Sequence, residues 1–167
     1  MALFRRKERG SPAGAPERLA EVVRRHMPEA DEESRRIVTA VAGLLACVAY
    51  ADREYAPKEA RTVRSELTRV HGLSPGGIDA VCGALEEDIE DLAQVGDQAW
   101  TRELKDLGAR ELRVEVLDAL VEIAAADHEI TLEEANYLRR LATSLGLTQS
   151  DYDALQARHR DKLTFLS

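Results

Sequence analysis

Aromatic residues make up only 4% of the 167-residue chain: one tryptophan, four tyrosines and two phenylalanines. A core here must be built from aliphatic side chains. With 44% hydrophobic and 32% charged residues, many of them Ala, Leu, Glu and Arg, the composition is that of a helical bundle. Cysteine is equally scarce. Cys47 and Cys82 stand far apart among apolar neighbours and form no C-x-x-C pair. A disulfide framework has no support, and two reduced core cysteines are expected. No run approaches the roughly 20 apolar residues of a membrane span. The stretch from Met1 to Arg9 lacks the apolar centre of a secretion signal. Ala2 excludes the myristoylation pattern. A soluble, cytoplasmic protein is the expectation.

Positive charge is in the minority, with 23 Lys and Arg against 31 Asp and Glu and a net charge of -8. A general nucleic-acid binder needs a basic face for phosphates, so that class is excluded. Cations and basic partners remain compatible. There is no nucleophile–base pattern, no phosphate-cradling glycine loop and no H-E-x-x-H. The chain therefore reads as non-enzymatic, with an enzyme working in an acidic cleft as a weaker third option. Period-2 alternation never persists, so no strand is expected.

Helical spacing is what the chain has in abundance. The breaker-rich stretch Gly10–Pro16 marks residues 1–15 as a flexible basic tail, expected to be solvated. Membrane contact is open only to this tail, whose four basic residues offer ~1 kcal/mol each near an anionic surface. Residues 16–162 read as one all-α domain, a bundle of seven to eight helices. The first opens at Pro16 or Glu17. Asp31 caps a second, which runs to about Ala51, is apolar nearly all round and should lie at the centre. Pro57 opens a third, ending at His71-Gly72, and Ser74-Pro75 a fourth. The fourth ends in the acidic run Glu86, Glu87, Asp88, Glu90 and Asp91, which reads as solvated or as facing a basic partner or cation. Asp97 is placed to cap a fifth helix. A sixth spans about Ala109 to Ala126, Thr131 opens a seventh and Thr148 an eighth.

One pattern occurs twice. An apolar helix ends in Ala51-Asp52, and another in Ala126-Asp127; the two aspartates lie 75 positions apart (127 less 52). A Glu follows each Asp by seven positions, Glu59 and Glu134. Downstream, Gly72-Leu73-Ser74 corresponds to Gly146-Leu147-Thr148. Two pseudo-symmetric helix–loop–helix repeats, about 35–90 and 109–160, are the expected architecture.

The phase of these acids carries the chemistry. Val116, Leu120, Ile123 and Asp127 share one helix face, as do Glu134, Leu138, Leu141 and Leu145. Glu59, Val63 and Val70 repeat this in the first copy. Four carboxylates are thus expected to point at helix junctions, where they need hydrogen bonds or a cation. Two readings stay open. Thr131 and Glu134 can form a capping box and Asp127 an Asx-turn, which leaves nothing over for a ligand. In the first copy Ala56 stands where the capping hydroxyl belongs, so capping alone is less complete there. Alternatively, the acids coordinate a cation as well as cap. Oxygen donors favour Ca²⁺, Mg²⁺ or Mn²⁺. The spacing is not that of an EF-hand, and both loops would have to contribute. Glu54 and Glu129, each two residues after its Asp, are candidate extra ligands but read first as solvated, and His128 reads as a surface residue.

The two Ala-Asp-x-x-Tyr/Ile segments, each followed by a Leu-rich helix closing in Gly-Leu-Ser/Thr, resemble the TerB-like domain of tellurite-resistance proteins and of the DjlA co-chaperone N-terminus. The resemblance covers about residues 35–160. It implies an all-helical, non-enzymatic protein tied to stress response and acting with other proteins of that system. By position it implies a metal site at Asp52, Glu59, Asp127 and Glu134. The co-chaperone likeness implies an alternative, an interaction module whose acids only cap helices. The family usually has Gly after each Asp. Arg53 and His128 stand there instead; if the loop needs a left-handed backbone at that position, His tolerates it modestly and Arg less well.

Overall fold

The computed structural model describes residues 14–126 and 129–159. Within them lie eight helices and no strand: α1 (Ala15–His26), α2 (Glu32–Ala49), α3 (Pro57–Leu67), α4 (Pro75–Val95), α5 (Gln98–Leu107), α6 (Arg110–Ala124), α7 (Leu132–Ser144) and α8 (Gln149–Arg158). None is long and apolar enough to cross a membrane. The all-α bundle expected from composition is what forms.

Helix α2 is the centre. Asp31 starts it by accepting the Ser34 N–H at 2.7 Å. Eleven of its 18 residues are buried. Helices α1, α3, α4, α5 and α6 all pack against it. Small residues at Ala42, Gly43, Ala46 and Ala49 let these neighbours approach closely. Gly43 is the tightest point. A Cβ there would lie 2.4 Å from Cε2 of Trp100, so the indole of α5 lies directly on the α2 backbone. Among the described residues the buried Trp100 N–H finds no partner, so this ring is held by shape rather than by a hydrogen bond.

The remaining phases run as the apolar spacing requires. Val63 and Leu67 of α3, Val81 and Leu85 of α4, and Leu104 of α5 are fully buried. Leu120 and Ile123 of α6 and Leu138 and Leu141 of α7 are buried as well. Several helix ends differ from the sequence reading: α2 stops at Ala49 rather than about Ala51, and α6 at Ala124 rather than about Ala126. Regular α3 stops at Leu67 rather than at His71-Gly72. The amides of Arg69 and Val70 reach back only three residues, to Glu66 and Leu67, tightening the chain into turns before Gly72 at φ +91°. Asp97 stands at the start of α5 but makes no side-chain cap; its carboxylate is engaged elsewhere.

Helix α1 runs antiparallel to α4. Arg18 grips Asp88 through Nε at 2.9 Å and Nη2 at 3.2 Å, with Asp91 at 3.8 Å. At the opposite end of α1, His26 sits beside Gly77. Ala15, Leu19, Val23 and Met27 are buried beneath. Part of the acidic run of α4 thus has its basic partner within the same chain.

The Gly43–Trp100 contact generates a test. Gly43→Ala should destabilise the protein by about 1–3 kcal/mol, because the buried indole has to shift. Urea unfolding read by circular dichroism should show a lower midpoint with unchanged helix content.

Candidate functional site

The first acidic loop begins where α2 runs out. The amides of Ala51 and Arg53 close short turns on Val48 and Tyr50. Arg53 then takes φ +67°, the one positive φ outside glycine among the described residues. This is the left-handed conformation that glycine adopts freely and a residue with a Cβ does not. Asp52 accepts the Glu54 N–H at 3.0 Å, forming an Asx-turn across the strained residue. Asp52 itself is exposed. That corrects the expectation that it prolongs the buried stripe. Helix α2 ends at Ala49, so helical phase no longer applies at position 52.

Glu59 is different. It is only 6% exposed, and its Oε2 accepts the Ala56 N–H at 2.8 Å. Ala56 has no hydroxyl to answer the Glu59 amide, so α3 opens with half of a capping box. Helix α7 opens with the whole of one. Glu134 Oε2 accepts the Thr131 N–H at 2.9 Å, and Thr131 Oγ1 accepts the Glu134 N–H at 3.2 Å. Fully buried Ile130 pins this loop to the core. Asp127 and His128 lie outside the described residues.

Three of the four candidate ligands come together. Asp52, Glu59 and Glu134 line one cavity of about 30 Å³, closed on its apolar side by Val48, Ile123 and Leu138. It lies where α2 and α6 end and α3 and α7 begin. A cavity of that size holds about one water-sized occupant. Asp52, Glu134 and Tyr137 also line a larger cleft beside it, of about 750 Å³. Each of the three carboxylates has one oxygen engaged by a main-chain amide. A carboxylate offers about four lone-pair sites, so capping and coordination are compatible. All three are hard oxygen donors of the kind that suits Ca²⁺, Mg²⁺ or Mn²⁺. Among the described residues no three His, Cys, Asp or Glu side chains are grouped tightly enough to hold an ion by themselves. The described donors fit such an ion in kind and fall short of a complete set.

The cleft also contains groups that sequence reasoning passed over. The Tyr137 hydroxyl donates to Asp97 at 2.9 Å. Burial, and then the Asp97 charge, push the phenol far above its ordinary range, so it stays a donor. Tyr137 had a signal: three residues past Glu134 and four before Leu141, it shares their inward phase. Asp97 had none, because its partner lies 40 positions away. Cys47 reaches the cleft too, but burial, with Asp97 adding to it, pushes its thiol up to about 12. Its Sγ donates to the Leu92 carbonyl at 3.8 Å. At neutral pH Cys47 is a thiol, not a nucleophilic thiolate.

Two substitutions test the loops. Ala56 (φ -72°, ψ 154°) already has the N-cap conformation of Thr131 (φ -73°, ψ 164°). Ala56→Ser should therefore complete the box and stabilise the protein by about 0.5–1 kcal/mol in urea melts. Arg53→Gly should relieve the left-handed strain and raise stability by ~1 kcal/mol, read as a higher melting temperature.

A family model described as tellurite resistance protein TerB matches residues 38–157. Comparisons with curated proteins and with solved structures give no match. The matched span runs from within α2 to within α8. It takes in both acidic loops and leaves out α1. On that match, the chain belongs to the tellurite resistance protein TerB family.

Proposed function

We propose that this TerB-family protein is a non-enzymatic, cytoplasmic stress-response component that binds one divalent cation where its two acidic loops meet. Asp52, Glu59 and Glu134 supply oxygen ligands, and Asp127 completes the set. The ion is Ca²⁺, Mg²⁺ or Mn²⁺, and the partners are other proteins of the same response. One observation carries this reading. Asp52, Glu59 and Glu134 line a single cavity with room for one small occupant. Capping alone gives no reason for the cap acids of two different helices to border one cavity. Bound there, the ion would neutralise their charges and tie the ends of four helices together.

A second reading has its own support. The full capping box at Thr131 and Glu134 accounts for one acid without any ion. On that reading the domain is an interaction module, and its acids serve only their helices.

Thermal unfolding separates the two. Ca²⁺ or Mn²⁺ at about 100 times its Kd should add ~2.7 kcal/mol and raise the melting temperature by several degrees. Asp52→Asn and Asp127→Asn should abolish that rise. Asn still accepts a backbone N–H, so the metal-free variants should melt close to the metal-free wild type. A wild type whose melting temperature ignores all three cations would sink the cation reading and leave the interaction module.

A further inference from the structure

We propose that the chain's own N-terminal segment, residues 1–13, docks into the 750 Å³ cleft beside the acidic loops. The inference does not rest on the cation. It follows from where the segment joins the fold and from what the cleft presents.

Helix α1 is antiparallel to α4, with Arg18 on Asp88 and Asp91. One turn further toward the N-terminus, Ala15 therefore lies level with the last turn of α4. The end of α4 and the residues just after it (Glu90, Ala93, Gln94, Gly96 and Asp97) form one wall of the cleft. The segment thus leaves the fold at the cleft's own end of the bundle. Ten residues separate Phe4 from Gly14 (14 less 4), a reach of up to about 35 Å when extended. The cleft is within easy reach.

The chemistry is complementary. Five carboxylates line the cleft (Asp52, Glu90, Asp97, Glu133 and Glu134), against the two guanidiniums of Arg53 and Arg140. The segment carries Arg5, Arg6, Lys7 and Arg9 against Glu8 alone. It also carries Leu3 and Phe4 immediately before the charges. The complementarity with the cleft is one of charge, and the apolar pair gives the segment a reporter position at Phe4. Individual exposed ion pairs are weak. Tethering makes docking intramolecular, at effective concentrations in the millimolar range, which lets several weak pairs suffice.

The test uses the full-length chain with a photoreactive phenylalanine analogue at position 4, irradiated in EDTA at physiological salt. Mass spectrometry should map adducts within the same chain to residues 50–53, 90–97 and 131–140. The double variant Glu90→Lys and Glu133→Lys should lower their yield about five- to tenfold. Arg5→Glu with Arg6→Glu should do the same with the helical core untouched, which keeps the test sound if the first variant misfolds. Adducts spread over the whole surface, adducts only between two chains, or a yield indifferent to the tail reversal would overturn the proposal. Because EDTA is present throughout, a failure here is distinct from a failure of cation binding.

Discussion

The burial of α2 on nearly all sides is the constraint on which the rest of the structure depends. A helix covered by five others has no free flank, so its side chains must be small where neighbours cross it. The run Ala42-Gly43…Ala46…Ala49 meets that demand, and Trp100 exploits it by lying on Gly43. The only exit for the chain is at the helix end. The turn after Tyr50 therefore emerges at a position fixed by the whole core, and Asp52 is carried on the end of a rigid element rather than on a free loop. Helix α6 packs on α2 and ends beside it, and this brings Glu134 of the following helix into the same cavity as Asp52 and Glu59.

The capping boxes show what a carboxylate at the third helical position does and does not imply. Helix α8 has a full box: Thr148 Oγ1 accepts the Asp151 N–H at 3.2 Å, and Asp151 Oδ2 accepts the Thr148 N–H at 2.9 Å. Asp151 is also paired with Arg110. The Thr148 amide foremost, and the Arg110 guanidinium, hold its carboxyl below the ordinary carboxylate range. This acid is answered by protein groups of its own helix and of α6. Glu59 and Glu134 occupy the same position in their helices, and both line the cavity that Asp52 also lines. A shared cavity, not capping position, is what makes them candidate ligands.

How much of this was legible follows from which forces are local. The helical class, the centrality of α2, the full boxes at Thr131 and Thr148 and the missing hydroxyl at Ala56 all rest on spacing and short-range chemistry. They were readable because a helix face and a cap are defined within a few residues. The burial of Glu59 was readable from its phase with Val63. The exposure of Asp52 was not, because it turned on whether α2 ended at Ala49 or two residues later, and tertiary packing sets such ends. The cleft was out of reach for the same reason. Its walls come from α2, α4 and α7, and no spacing in the chain links Asp97 to Tyr137; the repeat paired Asp52 with Glu134 but gave no sign of α4 beside them. Arg18 gave no local sign of its role either, since Asp88 lies 70 positions downstream.

The first loop also carries a feature that packing alone does not demand. Arg53 holds a left-handed backbone that costs an ordinary residue roughly 1 kcal/mol, where glycine would adopt it freely. The Asx-turn through Asp52 and the bond from the Arg53 amide to the Tyr50 carbonyl hold it there. What the residue contributes in return is position. Arg53 lines the cleft, where Arg140 is the other basic residue and five acidic residues stand among the described lining. It offsets part of that acidic charge, weakly, because it is itself exposed to solvent. The two loops are therefore not equivalent. In its described part, the second has a complete cap and a buried Ile130. The first, with half a cap and a strained arginine, gives up local stability for charge at the cleft.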